Sequence, residues 1–160
     1  MTFRALTVRQ PHAADLVLGR KRFEFRSWSF KVPGLVAIHA ASFCDRAAWN
    51  APGAAEKRHV LHDLRSTFVG VVELLGWIPA AEAGIRVPVL RGGSRPLCFA
   101  WRIGRAWPLL NGPVRVPGQL GLWKVEGLVE EELRAALPRQ VLDLEGWWAD
   151  TVQERRPPIF

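Results

Sequence analysis

An α+β fold built on a small barrel-like sheet is the class this 160-residue sequence predicts, and three observations carry that expectation. Five or more short apolar runs of strand length are separated by Pro- and Gly-rich turns. One early helix follows a strand directly, and no regular strand–helix repeat comes after it, which argues against a doubly wound parallel sheet. Beyond Gly127 the composition turns acidic and helical: residues 128–160 hold seven acids and four bases, against eight acids and eighteen bases in residues 1–127. The expectation is one domain over residues 3–127 with an acidic helical C-terminal appendage over residues 128–160. With 49% hydrophobic residues the chain can bury one proper core and is too short for two.

Taken in order, Phe3 to Arg9 alternates as a strand, and Gln10-Pro11-His12 places proline in the first turn of a helix that Gly19 stops. The stretch Lys21 to Trp28 reads as a short strand with Phe23 and Phe25 on one face and Arg22, Glu24 and Arg26 on the other. Leu35 to Ala40 is apolar throughout, the composition of a strand buried on both sides. Residues 43–65 carry apolar groups at helical spacing, including Leu61 and Leu64, broken at Asn50-Ala51-Pro52-Gly53, so two short inserted helices are expected. Phe68 to Leu75 is the clearest strand, with Glu73 its one charge. Residues 79–96 read as a long loop carrying Arg86, Arg91 and Arg95. Strands follow at Leu97 to Ile103 and Leu120 to Val125, then an amphipathic helix from Val129 to Leu137, stopped by Pro138, and a last segment around Trp147-Trp148.

The net charge of +7 is concentrated in the first four-fifths of the chain. Such a field attracts polyphosphate or an anionic surface by counterion release and steering. The competing reading is a solvated, arginine-rich surface that reflects composition alone. Cys44 and Cys98 match no metal-ligand or redox spacing, so reduced thiols and no metal are expected. The longest apolar run is far too short to span a bilayer, which excludes a membrane helix and points to a cytoplasmic location. No feature calls for a cofactor.

Chemistry concentrates at the charged strand. Glu24 can pair with a flanking guanidinium and steer an arginine fork toward phosphate, or act as a base, while Lys21 can neutralise charge on a phosphoryl group. An ordinary ion-pair ladder is the structural alternative. Arg9 and Gln10 stand at a strand-to-helix junction whose free amides suit an anion. Trp28 closes the charged strand and suits base stacking, whereas Trp101 and Trp123 suit the core. Glu73, on a buried strand, needs a partner, for which the cationic strand is the candidate. His12 lies near the junction, His39 reads as a satisfied core histidine, and His59 and His62 lack a third metal ligand.

Four segments together resemble the ASCH family of the PUA-like superfamily: "LTVRQPHAADLVLGRKRFEFRSW" (Leu6 to Trp28), "GLVAIHAA" (Gly34 to Ala41), "FVGVVEL" (Phe68 to Leu74) and "VPGQLGLWKVE" (Val116 to Glu126). The specific signature is Gly19, Lys21, Glu24 and Arg26 after Arg9-Gln10-Pro11. The resemblance implies a PUA-like mixed β-barrel capped by the N-terminal helix, with a basic cleft along the charged strand that binds RNA, another nucleic acid or a modified nucleoside through Arg9, Gln10, Lys21, Arg22, Arg26 and Trp28. It also implies an alternative, a hydrolase with Lys21, Glu24 and Glu73 as catalytic residues, either a metal-independent ribonuclease or an amidohydrolase of acetylated cytidine. The amidohydrolases similar to it have a threonine where this chain has Glu24, and a carboxylate attacking an amide would give an unstable anhydride.

Overall fold

The computed structural model describes residues 3–88, 96–111 and 115–154. Six strands, β1 (Arg4–Gln10), β2 (Phe23–Arg26), β3 (Gly34–Cys44), β4 (Thr67–Pro79), β5 (Phe99–Pro108) and β6 (Leu122–Lys124), form one mixed sheet in the order β2-β5-β4-β3-β1-β6. Only β1 and β3 run parallel; the other neighbours are antiparallel. Helix α1 (His12–Val17) lies between β1 and β2, and α2 (Arg46–Trp49) follows β3. Helices α3 (Gly127–Ala136) and α4 (Arg139–Glu154) follow β6. The α+β class expected from the sequence is thus observed, with a mixed sheet, and irregular register in the β1–β3, β3–β4 and β4–β5 ladders bends the strands.

The apolar strand β3 explains the layering. Its residues from Gly34 to Ala40 are all buried because the sheet is covered on both faces. Val36 and Ile38 join Leu6, Val8, Leu16, Val17, Val72, Leu74 and Trp101 in one core under α1. Leu35 and Ala37 join Phe3, Ala5, Phe68, Val71 and Trp123 in a second core, closed by Leu133, Leu137 and Val141 of α3 and α4. The acidic segment is distinct in charge but shares this second core with the sheet. Its described apolar side chains cover the face away from α1, and Glu130 and Glu145 are paired with Arg134. Arg134 is half-buried between them.

Two glycines set the position of α1. Gly19, at φ +74°, supplies the left-handed turn after the helix, and its amide bonds the Leu16 carbonyl at 3.1 Å. Gly70 on β4 lets the helix approach, since a Cβ there would lie 2.7 Å from Val17 Cβ and 2.3 Å from the Trp107 carbonyl oxygen.

Several boundaries differ from the sequence reading. The charged strand is only Phe23–Arg26, so Lys21 and Arg22 precede it. The inserted segment forms α2 and two single 3₁₀ turns, Ala55–Lys57 and Val60–Asp63, rather than two helices, because the Asn50 to Gly53 turn and the His59 cap break it into pieces too short to propagate. β4 continues to Pro79 and β5 to Pro108, pairing several residues beyond the ends at Leu75 and Ile103 read from the sequence. Of the loop arginines, Arg91 and Arg95 lie outside the described residues.

Candidate functional site

Glu24 faces the α1 side of the sheet. Its cross-strand neighbour on β5 is Trp101, a residue of the first core, and Glu24 itself is 6% exposed. The carboxylate is held between two cations: Lys21 Nζ donates to Oε2 at 2.9 Å, and Arg26 Nη2 lies 3.0 Å from Oε1. Burial opposes ionisation here, but the Lys21 and Arg26 charges outweigh it, and Glu24 stays below the usual carboxylate range. Arg26 Nη2 also donates to the Thr7 carbonyl at 3.2 Å, fastening β2 to β1. Its Nε is buried with no hydrogen-bond partner among the described residues. On the sequence Glu24 could pair with either flanking guanidinium, and Arg26 is the one that it meets, while strand alternation would set Lys21 on the other face. With Lys21 off the strand, its long stem reaches Glu24 instead, and Arg22 is exposed.

Beside this group stands a pair that the sequence did not disclose. His12 Nε2 lies 2.8 Å from Asp45 Oδ2, and Asp45 Oδ1 accepts from the Ala48 amide at 3.1 Å as the cap of α2. The Asp45 amide in turn donates to the Gln10 carbonyl at 2.7 Å. These bonds hold the carboxylate below its ordinary range against partial desolvation. An Asp before Arg-Ala-Ala-Trp is legible as a cap; its meeting with His12, 33 residues away, is not. His12 makes the smallest of the contributions that favour ionised Glu24, behind Lys21 and Arg26.

Gln10 is a structural residue. It is fully buried, and its side chain donates to the carbonyls of Leu61 (2.7 Å) and Leu64 (3.2 Å) while accepting from the Ala14 amide (3.1 Å). The amide group therefore ties the inserted segment to α1 and occupies the helix end that the sequence suggested for an anion. Arg9 is exposed at the register shift between β1 and β3. Trp28 is half-buried; its ring meets Trp101 edge-on at 4.6 Å, and its carbonyl accepts from Trp101 Nε1 at 3.0 Å.

Glu73 does not join Lys21 and Glu24. It is paired in register with Leu35, a residue of the second core, and so faces the opposite side of the sheet. Its partner is Arg105 of β5, in a two-pronged contact of 2.9 and 2.8 Å, with Trp148 Nε1 of α4 at 3.3 Å. These donors keep it ionised and below the usual range, so it is an anchor rather than the raised-pKa acid its burial alone would make. The cationic strand is thus not its partner.

The remaining histidines are internal supports. His39 is fully buried between Thr7 Oγ1 (3.4 Å) and the Val116 carbonyl (2.8 Å), and burial lowers its pKa. Since Nε2 must donate to the carbonyl, Nδ1 is the acceptor, and the core histidine read from the sequence is what the fold contains. His59 and His62 cap their own 3₁₀ turn, with His62 Nε2 on Asp15 at 3.0 Å. No cluster of three metal-ligating side chains exists among the described residues, and no described helix is long and apolar enough to cross a membrane.

An open cavity of about 220 Å³ adjoins the site, bounded by α1 residues His12 and Asp15 on one side and by residues 48–58 of the inserted segment on the other. No protein-family model matches the chain, and no curated protein matches its sequence.

Proposed function

We propose that the chain is a PUA-like domain of the ASCH type that binds nucleic acid, RNA foremost, or a modified nucleoside, in a basic cleft centred on Lys21, Glu24 and Arg26. The observation that carries this reading is the buried, ionised Glu24 clamped between two cations at 2.9 and 3.0 Å. A carboxylate in that position fixes an ammonium and a guanidinium before any ligand arrives, so phosphate oxygens meet donors whose ordering is already done. The guanidinium still has donor capacity beyond Glu24 and Thr7, and its unpartnered buried Nε is the kind of polar atom that tends to mark a functional site. Arg9 and Arg22, both exposed, extend the positive surface. Trp28 offers a base at most the part of its ring not packed on Trp101.

The test is fluorescence anisotropy with labelled single-stranded RNA, duplex RNA, DNA and a panel of modified nucleosides, without metal and across a salt series. Each phosphate contact contributes a slope of about 0.7 for single strands, so several contacts give a steep dependence. Arg26→Ala weakens binding and lowers the slope. A flat salt response would end the electrostatic reading.

The His12–Asp45 pair favours a second reading, metal-independent hydrolysis of the bound strand. With Nε2–H donated to Asp45, Nδ1 is the atom free to take a proton, and Lys21 is the cation for a phosphorane. Product formation that disappears in His12→Ala distinguishes this from binding alone. Amide hydrolysis has less support, because both Glu24 oxygens are already paired with cations and Glu73 lies on the far face.

A further inference from the structure

The cavity beside the Glu24 group has a chemistry of its own. One wall is apolar and includes Ala48, Trp49, Ala51 and Pro52. The rim is cationic: Lys57 and Arg58 both line it, and neither is paired with a carboxylate among the described residues. Arg58 is pre-set, with its guanidinium carbon 3.7 Å from the centre of the Trp49 ring and Nη2 donating to the Trp49 carbonyl at 2.8 Å. The single carboxylate on the wall, Asp15, is already engaged by His62 Nε2 at 3.0 Å and by Arg20 at 3.7 Å. What remains is a slot with a positive rim and one apolar wall.

Its position matters as much as its composition. The Asp15 carbonyl accepts from the amides of Arg20 (2.9 Å) and Lys21 (3.3 Å), so the cavity wall and the Lys21 end of the cleft are one hydrogen-bonded turn. His12 lines the cavity and is bonded to Asp45 at the foot of α2. At about 220 Å³ the space is smaller than the roughly 300–1,000 Å³ of drug-sized ligand sites, which leaves room for one planar ring system and not two.

We propose that this cavity is a second nucleotide subsite, in which a base lies against the Ala48–Pro52 wall and the Arg58 guanidinium while Lys57 meets its phosphate, so that a strand crossing the Lys21 cleft is held at two adjoining nucleotides. This rests on the nucleic-acid reading above and gives it a specific geometry: guanidinium planes stack on unstacked bases, and stacking tolerates any base identity. A single-stranded partner is required, because bases in a duplex cannot be splayed into a slot.

The test compares two labelled 10-nucleotide probes, an oligoadenylate and a strand of the same length with tetrahydrofuran spacers in place of nucleosides. Ala51 is exposed in a turn, so Ala51→Phe fills the slot without removing a core contact. The expected result is a loss of about ten-fold in affinity for the oligoadenylate and under two-fold for the spacer strand in Ala51→Phe, while Lys57→Glu weakens both. Circular dichroism of each variant confirms that it is folded. An affinity for oligoadenylate unchanged by Ala51→Phe, or an equal loss for both probes, overturns the subsite. If Arg26→Ala still weakens binding in that case, the cleft reading stands and the subsite alone falls; if native protein binds neither probe, both fall.

Discussion

Glu24→Gln is the substitution that most directly tests how the site is held. The carboxylate is 6% exposed and accepts from Lys21 at 2.9 Å and Arg26 at 3.0 Å, and neither cation is more than about a quarter exposed. Glutamine keeps the volume but has one acceptor oxygen. If that oxygen stays on Lys21, the amide NH₂ is driven against the Arg26 guanidinium, donor against donor; the flipped rotamer does the same to Lys21. Removing one partner of a fully buried pair costs about 3–5 kcal/mol. Because both cations retain some solvent, a loss of about 2–4 kcal/mol is expected here. At roughly 2–4 °C per kcal/mol for a domain of this size, Tm falls by about 5–15 °C. Urea unfolding reads the same quantity as a lower midpoint at constant m value.

The pH dependence gives an independent reading of the same pair. Glu24 is depressed in the fold by its cations, so the unfolded chain binds the proton more tightly. Its stabilisation is therefore present above the unfolded value of about 4.3 and is lost as pH falls through the lower folded value. Glu24→Gln removes that contribution and flattens the acid limb. A change of less than about 0.5 kcal/mol with an unaltered acid limb is the range of an ordinary surface substitution, and it would refute the claim that the pair is clamped.

Four further outcomes follow from the same geometry. Gln10→Ala leaves the Leu61 and Leu64 carbonyls and the Ala14 amide without their partner and destabilises by about 2–3 kcal/mol in urea unfolding, while the folded variant keeps its salt slope for RNA. Gly70→Ala sets a methyl against Val17 and the Trp107 carbonyl and costs about 3 kcal/mol or more, read by soluble yield and Tm. His39 is lowered by burial, so its contribution is full above the unfolded value of about 6.5 and declines as pH falls below it; His39→Gln has a shallower stability profile between pH 6.5 and 5 than the native chain. Arg26→Ala weakens RNA binding more than Arg139→Ala, since Arg139 is exposed at the start of α4 on the other face; equal losses would mean that only total charge matters.

What the sequence made legible was the part that local rules govern. Period-two and all-apolar runs located β1, β3 and β4, Gly19 located the end of α1, and the acidic amphipathic stretch located α3, because each signal is contained within a few residues of its element. Two of the misses are long-range and one is local. Glu73 on an apolar strand correctly demanded a partner, but the register that brings Arg105 and not the charged strand beside it comes from two bulges in the β4–β5 ladder. Gln10 next to proline looked like part of an exposed helix start; its burial follows from Leu61 and Leu64, more than fifty residues away, folding over it. Parity misplaced Lys21 because the strand begins at Phe23, and a four-carbon side chain outside a strand is free of the alternation that binds those within it.

These corrections sharpen the site. Removing Gln10 and Glu73 from it takes away one neutral donor and one carboxylate, and adding His12 with Asp45 supplies an imidazole held by a carboxylate beside the Glu24 group. Every carboxylate within the site is then committed: Glu24 to Lys21 and Arg26, Asp45 to His12 and the α2 cap, Asp15 to His62 and Arg20. None of them needs to be displaced for an anion to approach Lys21, Arg26, Lys57 or Arg58. An anion, as the proposed function requires, meets this arrangement without displacing a bond, whereas a cation would have to compete with bonds of 2.8 to 3.0 Å already in place. That asymmetry is set by the fold itself, since the bond that neutralises Asp45 joins α1 to the cap of α2 and the bond from Lys21 to Glu24 joins the turn after α1 to β2.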